Sequence, residues 1–325
     1  MERPQQQGTR SCSPLWAITS FYNPAGYRRR VSNFARFRQG LDIPLVTVEL
    51  SYDGNYQLTP DPKRPDDIIV PLSGHAVLWQ KERLLNVALQ HVPQDVPYIA
   101  WLDGDIVFAD PAWPAEALAH LRDYPVVQLF SHLYDLAPDV DPADTARHPD
   151  VPSGSGIAYQ VSSGNLISGD FLPQSTTDMR RGAFGLAWAA RRALLERHAF
   201  YDAMILGSGD RAMACAAYGR FDAAIQAIHL NEARKAHYLH WAEAYHQDVA
   251  GNVGYVPGSI FHLWHGDLAN RGYKERHIAL AQMDFDPVRD LRVHENGTWD
   301  WAHPRPDIEA FIARYFESRQ EDGSS

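Results

Sequence analysis

An apolar run that ends in two closely spaced carboxylates constrains this chain more than any other feature. Residues 98–102 are apolar or aromatic, Asp103-Gly104-Asp105 follows, and residues 106–108 are apolar again. A short apolar run bounded by turn residues predicts a buried strand. Two carboxylates at the end of such a strand repel each other and lose solvation, and a hard divalent cation offsets both costs. The alternative is a plain turn, in which Asp and Gly are common.

Strands and helices alternate along the rest of the chain. The pattern predicts strands over residues 16–21, 45–50, 68–70, 98–102, 126–130, 183–188 and 259–266, and helices over residues 27–39, 78–91, 113–122, 191–198, 210–218, 231–249, 270–283 and 306–319. Such alternation predicts an α/β fold with a mostly parallel sheet flanked by helices. Ligands of such sheets bind beyond the carboxyl ends of the strands, which is where Asp103 and Asp105 lie.

The length of 325 residues, with 45% hydrophobic and 22% charged residues, fits one large domain. We predict this domain over residues 14–316, after a polar lead-in at 1–13 that we expect to be disordered. A tail at 317–325 is expected to fray. Pro, Asp, Gly and Ser dominate residues 138–164, which we interpret as an irregular flap on the acceptor side of the site.

Charge and cysteine usage exclude several classes of protein. The net charge is −10 and the pI is about 5.8, so a nucleic-acid partner is not expected. Cys12 and Cys215 form neither a disulfide framework nor a ligand cluster, which fits a reducing compartment. No apolar run reaches the eighteen or so residues of a membrane span, and residues 1–13 lack the apolar core of a signal peptide. We expect a cytoplasmic protein that reaches a membrane surface only through a partner.

A second candidate for metal binding is the strand that ends in His262-Leu263-Trp264-His265-Gly266. The two histidines are three residues apart and point to opposite faces of an extended strand, so they share one ion only if the strand ends between them. His265, beside Gly266, is the better candidate, and His262 is the alternative. Each could instead be a packed histidine. Mixed carboxylate and imidazole ligation favours Mn²⁺ over Ca²⁺, with Mg²⁺ still possible.

A third candidate feature is the turn Gly207-Ser208-Gly209-Asp210, which opens a predicted helix. The positive end of the helix dipole favours an ionised Asp210. An ionised carboxylate on a glycine-rich turn serves either as a general base or as a helix N-cap. The sequence leaves both roles open.

Together these motifs resemble a known family. Residues 79–87 (Trp-Gln-Lys-Glu-Arg-Leu-Leu-Asn-Val) followed by Asp103-Gly104-Asp105 resemble the sugar-nucleotide half of GT-A-fold, metal-dependent glycosyltransferases. The likeness is to the β-1,4-galactosyltransferase type and to related polypeptide and chondroitin transferases. Residues 183–188 and 207–210 resemble the later segment that carries the acceptor-side acid, and His265 is similar to the late histidine of the metal site. The likeness covers about residues 14–280.

The resemblance implies a role for each motif residue. Residues 14–137 would bind the nucleotide sugar and residues 138–316 the acceptor. Asp105 would ligate the metal with His265, and Asp103 would contact the ribose or sugar or share the metal. Asp210 would be the catalytic base. The residues facing the nucleotide would be Lys81, Arg83 and Asn86, with Phe21 and either Arg28 or Arg30 near the nucleobase. The chain departs from the family in having Lys81 where Arg is frequent and one acid at position 210 where relatives have two.

These roles predict a hexosyltransferase that uses a nucleotide-diphosphate sugar, with UDP favoured, and a hydroxyl of a saccharide or other small acceptor. A single base opposite the leaving group favours inversion, and retention stays open. Arg271, Lys274 and Arg276 could close over the diphosphate, or form an exposed helix face. One alternative is a sugar-1-phosphate nucleotidyltransferase, although residues 21–26 are not a glycine-rich basic loop. The other is a non-catalytic carbohydrate- or nucleotide-binding protein on the same fold.

Overall fold

The computed structural model describes residues 13–147, 152–166, 171 and 182–323. Its strands, numbered in chain order, are β1 (Leu15–Tyr22), β2 (Leu45–Ser51), β3 (Ile68–Ser73), β4 (Tyr98–Leu102), β5 (Ile106–Phe108), β6 (Val126–Gln128), β7 (His132–Asp135), β8 (Gly154–Ser155), β9 (Ala187–Arg191), β10 (Val253–Tyr255), β11 (Ser259–His262), β12 (Leu291–Val293) and β13 (Trp299–Trp301).

Helices separate most of these strands. They are α1 (Arg28–Gln39), α2 (Lys81–His91), α3 (Trp113–Asp123), α4 (Pro142–Arg147), α5 (Ile157–Ser162), α6 (Arg192–His198), α7 (Gly209–Ala217), α8 (Phe221–Ala227), α9 (Glu232–Val249), α10 (Glu275–Ala281), α11 (Pro287–Asp290) and α12 (Pro306–Ser318), with a 3₁₀ turn at Leu268–Arg271. Across the described ranges, none of them combines the length and apolarity of a membrane span.

Seven strands form the central sheet in the order β10-β6-β9-β4-β1-β2-β3. Only β9 runs antiparallel to its neighbours, so the prediction of a single α/β domain with a mostly parallel sheet is confirmed. Because β9 is reversed, its first residue, Ala187, lies opposite Leu102 at the end of β4. The end of β4 and the segment before β9 therefore meet at one edge of the sheet.

Both faces of the sheet are covered. Alternate residues of β1 enter two separate clusters of buried side chains, with Trp16 and Ile18 on one side and Leu15 and Ala17 on the other. This is the period of two that a strand imposes. The first cluster packs against α2 and the second against α1 and α3, and this packing fixes the helices that carry site residues.

A smaller sheet, in the order β5-β11-β7-β8, lies beside this edge. Strand β5 pairs with β11 so that Ile106 faces His262, and β7 pairs with β11 so that Asp135 faces His262. Asp105 immediately precedes β5, and its carbonyl accepts a 2.8 Å hydrogen bond from the Leu263 amide. This pairing joins the carboxylate motif to the histidine motif.

Several predicted elements differ in detail. The helix predicted over residues 270–283 is a 3₁₀ turn followed by α10, because Gly272 between them adopts a left-handed φ of +45°. The flap predicted over 138–164 contains α4, β8 and α5 within its described residues. Most of the lead-in predicted over 1–13 lies outside the described residues.

Part of the tail that was predicted to fray from residue 317 is packed against the rest of the domain. Helix α12 continues to Ser318, and beyond it Arg319 and Glu321 are 4% and 0% exposed. The physical reason is an ion pair between the Glu321 carboxylate and Arg30 on α1, with an N–O distance of 2.6 Å. The tail is thereby held against the carboxyl edge of the central sheet.

Candidate functional site

A cavity of about 800 Å³ opens where β1 and β4 end and β9 begins. The 3₁₀ turn, α10 and the C-terminal tail form its opposite wall. The charged and imidazole side chains that line it are Arg30, Lys81, Asp103, Asp105, Asp135, Asp210, Arg211, His262, His265, Arg271, Arg276 and Arg319. Acids and cations thus converge on one concave surface, as expected of a ligand site.

The ligand atoms of Asp105, His262 and His265 all lie within 4.8 Å of one another. Strand β11 ends at His262, so the chain turns between the two histidines and both reach the same point. The two Nε2 atoms are 2.9 Å apart, and His265 Nδ1 lies 3.4 Å from an Asp105 carboxylate oxygen. The expectation that His262 would lie apart from His265 holds only for an unbroken strand, and this strand is broken there.

Asp135 orients His262. Its carboxylate lies 2.9 Å from His262 Nδ1. With the Nδ1 proton directed at this carboxylate, the Nε2 lone pair of a neutral ring faces Asp105. Burial disfavours the charged imidazole, yet the Asp135 hydrogen bond and the nearby Asp105 raise the pKa of His262 above its ordinary value. Our sequence reasoning missed Asp135, whose only signal was an acid at the end of a short strand.

The residues present fit a divalent ion. One Asp105 carboxylate oxygen, Oδ1, is buried and has no hydrogen-bond partner among the described residues. Burial and the neighbouring Arg271 guanidinium keep the pKa of His265 well below its ordinary value, so the ring is neutral and keeps a lone pair. One carboxylate oxygen and two imidazole nitrogens are a donor set that suits Mn²⁺ and similar ions. Asp103 is not part of this set.

Lys81 links Asp103 to Asp210. Its ammonium lies 2.8 Å from an Asp210 oxygen and also forms an ion pair with Asp103. Burial opposes the charge, but the two carboxylates raise the pKa of Lys81 well above its ordinary value. Lys81 and Asp103 both line the cavity, where they contact each other.

Asp210 faces the cavity rather than capping its helix. Ser208 holds the N-cap position with a left-handed φ of +75°, and both Asp210 oxygens accept hydrogen bonds from Lys81. Gly185 makes room for this carboxylate, because a Cβ there would lie 2.7 Å from Asp210 Oδ2. Burial raises the pKa of Asp210, and Lys81 opposes that rise. The helix-cap interpretation of Asp210 is therefore wrong.

Glu82 is a buried acid that the sequence reasoning left without a role. It is 2% exposed, and burial together with the nearby Asp210 charge raises its pKa to about 8. Its carboxylate packs so tightly on Gly209 that any side chain at 209 would clash with it. The glycine-rich turn is therefore needed for close packing as well as for backbone conformation.

Four arginines from separate parts of the chain form a basic wall of the cavity: Arg30, Arg271, Arg276 and Arg319. Arg271 and Arg276 are only 8% and 7% exposed, so the exposed-face alternative is wrong for both. Lys274, in contrast, is exposed, as the exposed-face alternative predicts. Arg30 and Arg319 share Glu321 as their carboxylate partner. No local pattern indicated Arg319, because residues 317–325 were expected to fray.

Three residues predicted to face the nucleotide lie elsewhere. Arg83 pairs with Asp202 at 3.1 Å, and Asn86 donates a 3.0 Å hydrogen bond to the same carboxylate. A helix turns about 100° per residue, so positions 83 and 86 lie on the side of α2 away from Lys81. The Arg28 side chain is 95% exposed beside Asp322, and Arg30 lines the cavity in its place. Phe21 lines the cavity, and its place beside a nucleobase stays a prediction.

No protein-family model matches the sequence, and no curated protein matches it. Among solved structures, S. aureus TarS in complex with UDP-GlcNAc is similar over 95% of this chain and 73% of its own, with 10% identity and a TM-score of 0.40. Glucosyl-3-phosphoglycerate synthase from Mycobacterium tuberculosis, in complex with Mn²⁺, UDP and phosphoglyceric acid, is similar over 86% of this chain and 81% of its own. Its identity is 12% and its TM-score 0.38. The structure of 4-diphosphocytidyl-2C-methyl-D-erythritolsynthase from Anaerococcus prevotii is similar over 75% of this chain and 86% of its own, with 12% identity and a TM-score of 0.34. Likenesses at this level concern only the general arrangement of the fold. The chemistry of the site is therefore argued from the residues of this chain.

Proposed function

We propose that this protein is a metal-dependent glycosyltransferase of the GT-A type, which moves a sugar from a nucleotide-diphosphate sugar to an acceptor hydroxyl. One observation carries the proposal. A single cavity is lined by a donor set for a divalent ion, by four arginines, of which Arg271, Arg276 and Arg319 are buried, and by a lysine-bound carboxylate. A leaving diphosphate needs the first two features, and an attacking hydroxyl needs the third.

The donor half of the proposed site lies at Asp105, His262 and His265, with the basic wall beside them. These three residues would hold Mn²⁺ or Mg²⁺, and the ion, when bound, supplies positive charge for a diphosphate oxygen. The guanidinium groups of the wall donate charge-assisted hydrogen bonds to the same group. Phe21 is the proposed wall for the nucleobase, and uracil is the base that we propose. The cytoplasmic location stays a prediction from the sequence.

The acceptor half lies at Asp210. Its raised pKa makes the carboxylate a better proton acceptor, and Lys81 holds it in one orientation. The acceptor hydroxyl gives its proton to Asp210 as its oxygen bonds to the anomeric carbon. The bond from that carbon to the diphosphate oxygen breaks, and its electron pair leaves with the diphosphate. One base opposite the leaving group gives inversion. Asp103, beside Lys81, would contact hydroxyl groups of the donor.

The first test is binding followed by product analysis. UDP and a panel of UDP-sugars are titrated into the full chain with and without Mn²⁺, and thermal stability is followed, because a ligand of the native state raises it. We expect Mn²⁺-dependent stabilisation and slow release of free sugar and UDP. Release of pyrophosphate from a nucleoside triphosphate and a sugar 1-phosphate would instead identify a nucleotidyltransferase. Binding without turnover of any donor or acceptor would identify a binding protein.

The metal assignment is tested by replacing its carboxylate. Asp105→Asn should weaken Mn²⁺ binding by more than the roughly 10- to 100-fold expected for Asp135→Asn, which removes only the partner of His262. Free Mn²⁺ measured by electron paramagnetic resonance gives both affinities. Asp110→Asn, at an exposed loop position, is the control that should bind as the wild type does. Wild-type affinity in Asp105→Asn would refute the site.

A further inference from the structure

Arg211 enters the cavity beside Asp210. The two residues are consecutive on α7 and pack on two consecutive residues of the segment before β9. Asp210 approaches Gly185, and the Arg211 guanidinium carbon lies 4.0 Å from the centre of the Phe184 ring. Both side chains line the cavity. A group held by Arg211 would therefore lie next to the proposed base.

Arg211 carries a charge that the described residues do not balance. One of its five N–H groups donates a 2.9 Å hydrogen bond to the Phe171 carbonyl, and no carboxylate pairs with it in the part of the chain that the structure describes. Lys81, in contrast, has two carboxylate partners in the same cavity. Burial lowers the pKa of Arg211, which reflects the cost of holding its charge there. An anionic ligand would offset that cost.

Arg211 is also separate from the basic wall. The members of that wall are connected: Arg276 and Arg319 both donate to the Tyr315 hydroxyl, and Arg271 donates to His265, itself one of the proposed metal ligands. No hydrogen bond joins Arg211 to this set among the described residues. The donor diphosphate therefore has its own cations, and Arg211 is available to a second ligand.

We propose that Arg211 binds an anionic group of the acceptor, either a phosphate or a carboxylate, and so sets the acceptor class. This inference rests on the proposed function. Stacking on Phe184 fixes the plane of the guanidinium, which then presents two parallel N–H groups to the oxygens of the anion. The hydroxyl of an acceptor held in this way lies beside Asp210, which receives its proton.

The test is an anion titration of the full chain saturated with UDP and Mn²⁺, so that the donor cations are occupied. Sulfate stands for a phosphate group and acetate for a carboxylate, and calorimetry at constant ionic strength gives each affinity. We expect millimolar binding of at least one anion, about 10-fold or more weaker in Arg211→Gln and partly restored in Arg211→Lys. The anion that binds identifies the acceptor group. Arg28→Gln, at an exposed arginine, is the control that should leave the affinity unchanged.

Two results would overturn the inference: no binding of either anion by the wild type, or equal binding by the wild type and Arg211→Gln. Thermal melting of each variant establishes that it is folded. Binding of UDP and Mn²⁺ is measured first, so a failure of the proposed function is recognised separately. In that case the same titration is run on the nucleotide-free chain, and the comparison with Arg211→Gln still decides whether Arg211 binds an anion.

Discussion

Glu321 forms a two-oxygen ion pair with Arg30, with carboxylate–guanidinium distances of 2.6 and 2.9 Å. The same carboxylate lies 2.5 Å from Arg319. One buried acid in the C-terminal tail thus holds two of the four arginines of the basic wall. The tail is part of the cavity, and its contribution is measurable both as stability and as ligand binding.

Replacing this acid should make the stability less dependent on pH. The two guanidiniums lower the pKa of Glu321 from 4.5 to about 2, although burial opposes the shift. A carboxylate whose pKa is lowered by folding stabilises the fold at pH values above its pKa in the unfolded chain. This stability is lost as the pH falls toward its pKa in the folded protein. Glu321→Gln should therefore cost roughly 3–5 kcal/mol of unfolding free energy at pH 7 and less at pH 3.

Denaturant unfolding at pH 7, 5 and 3 measures this difference. Glu232→Gln is the control, because the Glu232 side chain is 92% exposed and should change the unfolding free energy little at any of these pH values. A cost for Glu321→Gln that is the same at pH 7 and pH 3 would show that the Glu321 charge does not stabilise the tail.

Gly266→Ala tests whether the tail must stay close to the metal ligands. Gly266 follows His265 with a φ of +88°, and a Cβ there would clash with the backbone carbonyl of Arg319. The variant should displace the tail and weaken UDP binding about 10-fold or more, as expected for the loss of a charge-assisted contact. Calorimetric titration with UDP and Mn²⁺ measures the effect.

The chain offers a matched control for this substitution. Gly251 has a φ of +74°, and a Cβ there would meet nothing within 4 Å. Gly251→Ala carries the same backbone strain without a clash, so it should lower stability and leave UDP binding unchanged. Equal UDP affinity in the two variants would show that the contact with the tail does not matter for binding.

The sequence predicted those parts of the site that depend on local pattern. The apolar run before Asp103 identified a buried strand, and strand ends of a parallel sheet share one edge, so both carboxylates were placed correctly. Arg83 and Asn86 were assigned to the nucleotide by family resemblance, although the helical period of α2 separates them from Lys81.

The sequence could not predict contacts that depend on distant strand pairing. Asp135 reaches His262 only because β7 and β11 pair in one register, across 127 residues of chain. Whether His262 and His265 share a site depends on where β11 ends, and spacing alone does not encode that. Glu321 follows a helix with no local signal of burial, and only its pairing with Arg30 reveals it.

The role of Asp210 is tested by Asp210→Asn, which keeps the size of the side chain and removes its ability to accept a proton. Lys81 can still donate to the amide oxygen, so UDP and Mn²⁺ should bind with nearly unchanged affinity. Turnover should fall about 100- to 10,000-fold, the usual range for loss of a general base. Wild-type turnover should rise as pH increases through the raised pKa of Asp210, and this step should be absent in the variant.

Pre-steady-state and steady-state assays with one donor and one acceptor separate kcat from donor affinity. Asp222→Asn, at the exposed start of α8, is the matched control. Turnover within threefold of the wild type would show that Asp210 orients Lys81 and takes no proton.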